Sequence, residues 1–170
     1  VLADTWFSSA ENMVFLKKDC QTDFLFPLKA NRTVALSQTD KLAGRYQPVS
    51  SVPLEANAMQ PIWLEGVEFP LLLCKQVFTN KDDSQGILYL TTSDTTLSSS
   101  DLQTIYQKRW KVEEFHKSVK SNASFAKSPT KIIRTQSNHI FACLWAYVKL
   151  ERLRLKTKVN HFAMKGRLYQ

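Results

Sequence analysis

The fold of this chain is decided by residues 106–120, which read YQKRWKVEEFHKSVK. The serines and aspartate at 98–101 are good helix N-caps, and no proline follows until Pro129, so the pattern predicts a long helix from about Asp101 to Lys120. At about 100° per residue, four polar side chains of this helix fall within roughly 60° of one another. They are Tyr106, Arg109, Glu113 and Lys120, and Lys117 extends the row one turn beyond Glu113.

An ordinary surface row explains the same pattern, because Arg109 and Glu113 are spaced i, i+4 and can pair on any exposed helix. A metal-binding face needs a further acid, and Asp4 is the candidate. The opening residues Val1–Asp4 predict a strand, so Asp4 lies at a strand end, where α/β sheets usually bind ligands and metals. Ser8 then matches the N-cap of a capping box that opens a helix running to about Lys18.

Short apolar runs separated by turn residues follow from Asp23 to Thr92, and these predict β-strands. The runs are Phe24–Leu28, Thr33–Leu36, Pro61–Leu64, Phe69–Phe78 and Gly86–Leu90. Turn formers at 80–86 predict an antiparallel hairpin between the last two runs.

A second long helix is predicted from about Gln136 to Lys156. Its predicted buried face consists of Ile140, Phe141, Leu144, Trp145, Val148 and Leu155. The expected division is therefore a strand and helix over 1–20, a β-rich region over 21–95 and a helical part over 98–170.

The net charge of +8 is unevenly spread along the chain. Residues 1–100 hold 8 Lys/Arg against 11 Asp/Glu, whereas residues 101–170 hold 15 against 4, so the two parts carry −3 and +11. A basic surplus in one segment suits a polyanion, because each neutralised phosphate releases counterions. Nucleic acid is the first partner this favours, and a solvated basic surface is the alternative. The basic run Arg152, Arg154, Lys156 and Lys158 leaves the same two interpretations open.

The spacing Tyr-x2-Arg-x3-Glu-x6-Lys, joined to Asp4, resembles the YREK motif of DDE transposases from a large group of bacterial insertion sequences. The similarity extends to DTWFSS at 4–9, TQSNHIF at 135–141 and KVNHFA at 158–163. It implies an α/β, RNase H-like fold, partial because the first strands are missing, with an inserted antiparallel β region and two long C-terminal helices.

The resemblance also implies a chemistry. Asp4 matches the second acid and Glu113 the third acid of a site that holds two Mg²⁺ or Mn²⁺ ions. Tyr106, Arg109, Lys117 and Lys120 would contact DNA, and Trp63 would stack on a flipped base. The partners implied are double-stranded DNA, both terminal inverted repeats and target, and a second copy of the enzyme. The cell compartment implied is the bacterial cytoplasm, at the nucleoid.

The family's first Asp lies on an upstream strand, so we expect a fragment that is inactive alone. Two other interpretations stay open: a DNA-binding remnant without catalysis, and a metal-dependent nuclease that only hydrolyses. A position in the core is the alternative to base stacking for Trp63. We expect Trp6, Trp110 and Trp145 to lie in the core.

Overall fold

The computed structural model describes residues 1–80, 82–128 and 130–168. The chain divides into two compact units, Val1–Arg109 and the residues from Trp110 onward. The first unit contains the β-strands, three short α-helices and several 3-10 or π-helical turns, and the described part of the second is helical. The molecule is thus a mixed α/β protein with an antiparallel sheet, as the sequence predicts.

The sheet of the first unit has four antiparallel strands. In chain order the strands of the unit are β1 (Leu25–Leu28), β2 (Thr33–Val34), β3 (Gln47–Pro48), β4 (Met59–Ile62), β5 (Leu71–Thr79) and β6 (Gln85–Thr92). The main sheet has the order β1-β6-β5-β4, while β2 and β3 pair separately. The predicted hairpin is confirmed, since β5 and β6 pair from Leu72↔Thr92 to Thr79↔Gln85. The predicted strand Thr33–Leu36 is shorter than expected.

The opening residues form less of a strand than predicted. Leu2 makes one isolated parallel bridge to Leu25, supported by the Leu25 N–H donating to the Val1 carbonyl at 2.8 Å. The chain then turns into a 3-10 helix at Thr5–Phe7. The turn ends the pairing after a single bridge, because its backbone hydrogen bonds are local.

The first α-helix is also displaced from its prediction. Ser9, not Ser8, is the N-cap of α1 (Ala10–Val14), because the Ser9 hydroxyl accepts from the Asn12 N–H at 3.2 Å. The Ser8 hydroxyl instead donates to the Thr5 carbonyl at 2.7 Å. A π-helical turn then carries the helix on to Asp19, close to the predicted end.

The core of the first unit lies between the sheet and the segments that cover its two faces. One cluster joins α1, through Met13, to strand residues such as Phe24, Phe26 and Leu73. A second cluster joins Leu102, Leu25, Cys74 and Leu90. Alternate residues of one strand thus face opposite clusters, as the period of a strand requires.

The predicted single helix from Asp101 to Lys120 is wrong. Two helices form in this region, α3 (Ser99–Gln107) and α4 (Trp110–Asn122). They are numbered after the short helix α2 (Gln38–Leu42), which lies between β2 and β3. The Lys108 and Arg109 N–H groups donate to the carbonyls three residues before them, at 3.1 and 3.0 Å. Such i to i−3 bonds tighten the last turn of α3 and end it. The four motif residues therefore do not share one face of one helix.

The second unit contains α4, α5 (Ile133–Thr157) and α6 (His161–Leu168). The predicted second long helix is confirmed, but its predicted buried face is wrong. The exposed fractions of those side chains are 41 % for Ile140, 70 % for Phe141, 38 % for Leu144, 55 % for Trp145, 45 % for Val148 and 57 % for Leu155. On the other side of α5, Cys143 is buried and Tyr147 and Leu150 are half-buried. No helix among the described residues is long and apolar enough to cross a membrane.

Candidate metal and nucleic-acid site

Asp4 is held in the first unit by the turn that follows it. Its carboxylate is exposed, and Oδ1 accepts a hydrogen bond from the Trp6 N–H at 2.9 Å, which makes Asp4 the N-cap of the 3-10 helix. The neighbouring backbone is tied to β1 through the bridge between Leu2 and Leu25. Asp4 therefore combines a fixed backbone with a solvent-facing carboxylate, which suits a metal ligand.

Glu113 lies in the first turn of α4, in the second unit, and its side chain is exposed. Lys117 and Lys120 follow on the same helix, both exposed. Glu113 and Lys120 are seven residues apart and thus share a face of α4, since two helical turns separate them. The Lys117 ammonium lies 5.5 Å from the centroid of the Phe162 ring, within cation–π range.

Tyr106 and Arg109 belong to the first unit, at the end of α3 and in the turn after it. Tyr106 is half-buried and packs against the cluster that contains Leu102. The Arg109 guanidinium lies 5.5 Å from the centroid of the Tyr106 ring. The two side chains are thus one local pair, and the sequence motif is split into this pair and the α4 residues Glu113, Lys117 and Lys120.

Trp63 is half-buried beside the end of β4. Its backbone exchanges two hydrogen bonds with Ala35, both of 2.9 Å, and it stands between the buried residues Ile62 and Leu64. The backbone of Trp63 is therefore fixed, and the residue is only partly buried.

A buried histidine joins the three helices of the second unit. His161, at the start of α6, is 5 % exposed. Its Nδ1 lies 2.7 Å from the Ser118 hydroxyl on α4, and its Nε2 lies 3.0 Å from a Glu151 carboxylate oxygen on α5. Lys165 of α6 also donates to the Ser121 carbonyl of α4 at 2.7 Å. These contacts fix α4, the helix that carries Glu113.

Glu151 is itself held by a cation. The Arg154 guanidinium donates from Nε to both Glu151 carboxylate oxygens, at 2.9 and 3.0 Å. This hydrogen bond holds the pKa of Glu151 below its ordinary value; partial burial opposes the shift, and the charges of Arg154 and His161 add to it. Arg154 is therefore paired with Glu151 while its side chain remains 47 % exposed.

A cleft of about 510 Å³ lies beside this histidine and includes Lys111, Lys117 and Phe162 in its wall. Neither Glu113 nor Lys120 lines it. The cleft thus includes Lys117 of the motif but neither of the other two motif residues of α4.

Sequence reasoning missed the exposure of three tryptophans. Trp6, Trp110 and Trp145 were expected in the core, but their exposed fractions are 86 %, 57 % and 55 %. Trp6 is the most exposed of the three and lies within the 3-10 turn that Asp4 caps. The only feature of the sequence that pointed to a functional role for Trp6 is its position two residues after Asp4, a candidate metal ligand.

The donor chemistry of Asp4 and Glu113 fits a hard divalent cation, because carboxylate oxygens are the ligands that Mg²⁺ and Mn²⁺ prefer. Both side chains are exposed, so a cation in solvent can reach them. Within the described parts of the chain, no group of three or more His, Cys, Asp or Glu side chains converges on a metal position. The two acids are therefore candidate ligands on separate units.

Comparison with known families defines the class of protein. Residues 1–149 match the family described as the transposase DDE domain. This match covers most of the chain and includes Asp4, the α3–α4 motif and the first part of α5. The chain belongs to the transposase DDE domain family. No curated protein gave a significant match.

Proposed function

We propose that the chain supplies the second and third acids, Asp4 and Glu113, of an RNase H-like DDE transposase of the YREK group. The single observation that carries this proposal is that one family match spans both acids and the motif residues between 106 and 120. The exposure of both carboxylates supports it, because a substrate as large as DNA must reach them. The reaction is DNA cleavage at element ends followed by strand transfer.

Asp4 and Glu113 would hold two divalent cations. When bound, such ions activate a water or a DNA 3′-hydroxyl and stabilise the leaving oxygen during in-line displacement at phosphorus. The protein's own contribution is to fix the two carboxylates, Asp4 through the 3-10 turn and Glu113 through the packed helix α4.

The cations of the motif would bind the phosphates on either side of the metals. Lys117 and Lys120 present exposed ammonium groups on α4, and ammonium groups bind phosphate as point charges. Arg109 offers a planar guanidinium that can bind phosphate through two hydrogen bonds, and the Tyr106 ring supports it from one side. Trp63 would stack on a base turned out of the duplex.

Double-stranded DNA, as inverted repeats and target, is the partner that this arrangement fits, and the enzyme would act as a homodimer. The exposed residues Arg152, Lys156 and Lys158 at the end of α5 would add contacts to the DNA backbone. Arg154 belongs to the same basic run and is paired with Glu151.

Salt titration of duplex binding tests this function. The double variant Lys117→Gln/Lys120→Gln should reduce the slope of log K against log salt by roughly 2, since each lost phosphate contact removes about 0.9. The control is Lys127→Gln/Lys131→Gln, which removes the same charge from exposed positions of the same unit. If both double variants change the slope equally, the α4 lysines have no special role and the proposal fails.

A further inference from the structure

Trp6 is exposed to an unusual degree for its residue type. Its exposed fraction is 86 %, although tryptophan buries more apolar area than other side chains when it packs in a core. It lies on the 3-10 turn that Asp4 caps, and its own N–H donates to Asp4. An aromatic face next to a candidate metal ligand is therefore presented to solvent by a turn with a defined hydrogen bond.

A polar cavity of about 370 Å³ adjoins this ring. Trp6, Ser8 and Ser9 contribute from the turn, and Lys29 and Arg32 from the loop between β1 and β2. Its volume is in the range of small-ligand sites, which begins at about 300 Å³. The cavity thus combines one aromatic surface and two cations with four hydroxyl side chains and one amide.

Both walls of this cavity are held by hydrogen bonds. On one side the Ser8 hydroxyl donates to the Thr5 carbonyl at 2.7 Å, and the Asn12 amide donates to the Phe7 carbonyl at 3.0 Å. On the other side the Arg32 N–H donates to the Lys29 carbonyl at 2.9 Å, and the Arg32 carbonyl accepts from the Val49 N–H at 2.8 Å. The ring and the cations are therefore presented by two fixed turns of the same unit.

The charge at this place favours an anion. Lys29 is exposed and Arg32 half-buried, and neither residue donates to an acid among the described ion pairs. Glu11 is the acid whose charge Arg32 influences, but Glu11 does not line the cavity. A ligand with one flat aromatic group and one phosphate matches this combination better than an apolar or a cationic ligand.

We infer that Trp6, Lys29 and Arg32 form a binding site for an unpaired nucleotide of single-stranded DNA, with the base stacked on Trp6 and its phosphate at the two cations. Aromatic stacking joined to cationic phosphate contacts is the usual physics of single-strand binding. This inference rests on the proposed function, because Asp4 would hold the metal at the neighbouring phosphate. The site would keep the strand next to the cleaved bond away from its complement.

The test uses a short oligonucleotide that carries 2-aminopurine, as a single strand and in a duplex, and measures affinity and the quenching of the base by stacking. Trp6→Leu should weaken single-strand binding roughly tenfold and abolish the quenching. Trp6→Phe should restore part of both. Lys29→Gln/Arg32→Gln should lower the salt slope by about 0.7, because the site holds one phosphate and each single-strand phosphate contact contributes about 0.7.

The matched control is Trp145→Leu, which removes another exposed tryptophan and should leave single-strand binding within about twofold of wild type. Trp6 is solvent-facing, so its replacement should leave the fold intact, as circular dichroism would check. Single-strand affinity and quenching unchanged by Trp6→Leu would overturn the inference, as would absence of single-strand binding by the wild type. If the inference on Trp6 is overturned but duplex binding still depends on Lys117 and Lys120, the proposed function stands. If the wild type binds no DNA, the proposed function and the inference on Trp6 both fail.

Discussion

At the scale of single residues, the carboxylates of this chain divide by what they contact. Asp4 uses one oxygen to cap a turn and remains exposed, whereas Glu151 is engaged by Arg154 and His161 inside the helical unit. The first arrangement leaves a carboxylate available to a metal, and the second uses a carboxylate to join helices. Glu151 therefore stabilises the helical unit, and its contribution to the free energy of unfolding should depend on pH.

Glu151→Gln should destabilise the second unit at neutral pH by about 0.5 kcal/mol, after allowance for solvent screening of a partly exposed pair. The folded-state pKa of Glu151 is lowered, so its stabilising effect is present above the unfolded-state pKa and is lost as pH falls through the folded-state pKa. Urea unfolding at a series of pH values measures this. The difference in free energy of unfolding between wild type and variant should shrink below about pH 4. If this difference stays constant down to acid pH, the ionised Glu151 carboxylate does not stabilise the unit.

Single residues also show how far sequence reasoning extends. Asp4 and Glu113 could be selected because the residues around them resemble the YREK motif, and their metal-binding role remains a prediction. The choice of Ser9 over Ser8 as N-cap could not be predicted, because serine is a good N-cap at either position. The Ser8 hydroxyl is instead hydrogen-bonded to the 3-10 turn before it. The exposure of Trp6 depends on what packs around it, which no local pattern encodes.

At the scale of elements, the strands were predictable and the break between α3 and α4 was not. Apolar runs separated by turn residues identified β1, β5 and β6 because both signals agree there. Residues 101–120 contain no glycine or proline, so the end of α3 at Gln107 has no local signal. The packing of Leu102 and Ile105 on the sheet fixes α3 instead. The apolar stripe of α5 likewise failed to identify which side is covered.

The N-terminus of α3 offers a test of element stability. The Ser98 hydroxyl accepts from the Asp101 N–H at 3.2 Å, and Asp101 accepts from the Ser98 N–H at 3.1 Å, which completes a capping box. Ser98→Ala should reduce the free energy of unfolding of the first unit by about 1 kcal/mol. Gln103→Ala, at an exposed position inside α3, is the control and should change little. Equal effects in chemical denaturation would show that the cap does not stabilise α3.

At the scale of the whole molecule, charge and candidate ligands are distributed over two units. The unit with Asp4 carries the sheet, and the unit with Glu113, Lys117 and Lys120 carries most of the positive charge. Family membership is shown by the match over 1–149, and the sequence motif predicted it. The joint action of the two acids on one metal site is the central proposal.

Calorimetric titration with Mn²⁺ tests that proposal most directly, on wild type, Asp4→Asn, Glu113→Gln and, as the control, Glu114→Gln, an exposed acid next to Glu113. Saturable binding by the wild type and the control, lost in both Asp4→Asn and Glu113→Gln, is the predicted result, because each ligand is needed by the same ions. Equal binding by all four proteins would contradict a shared metal site at Asp4 and Glu113.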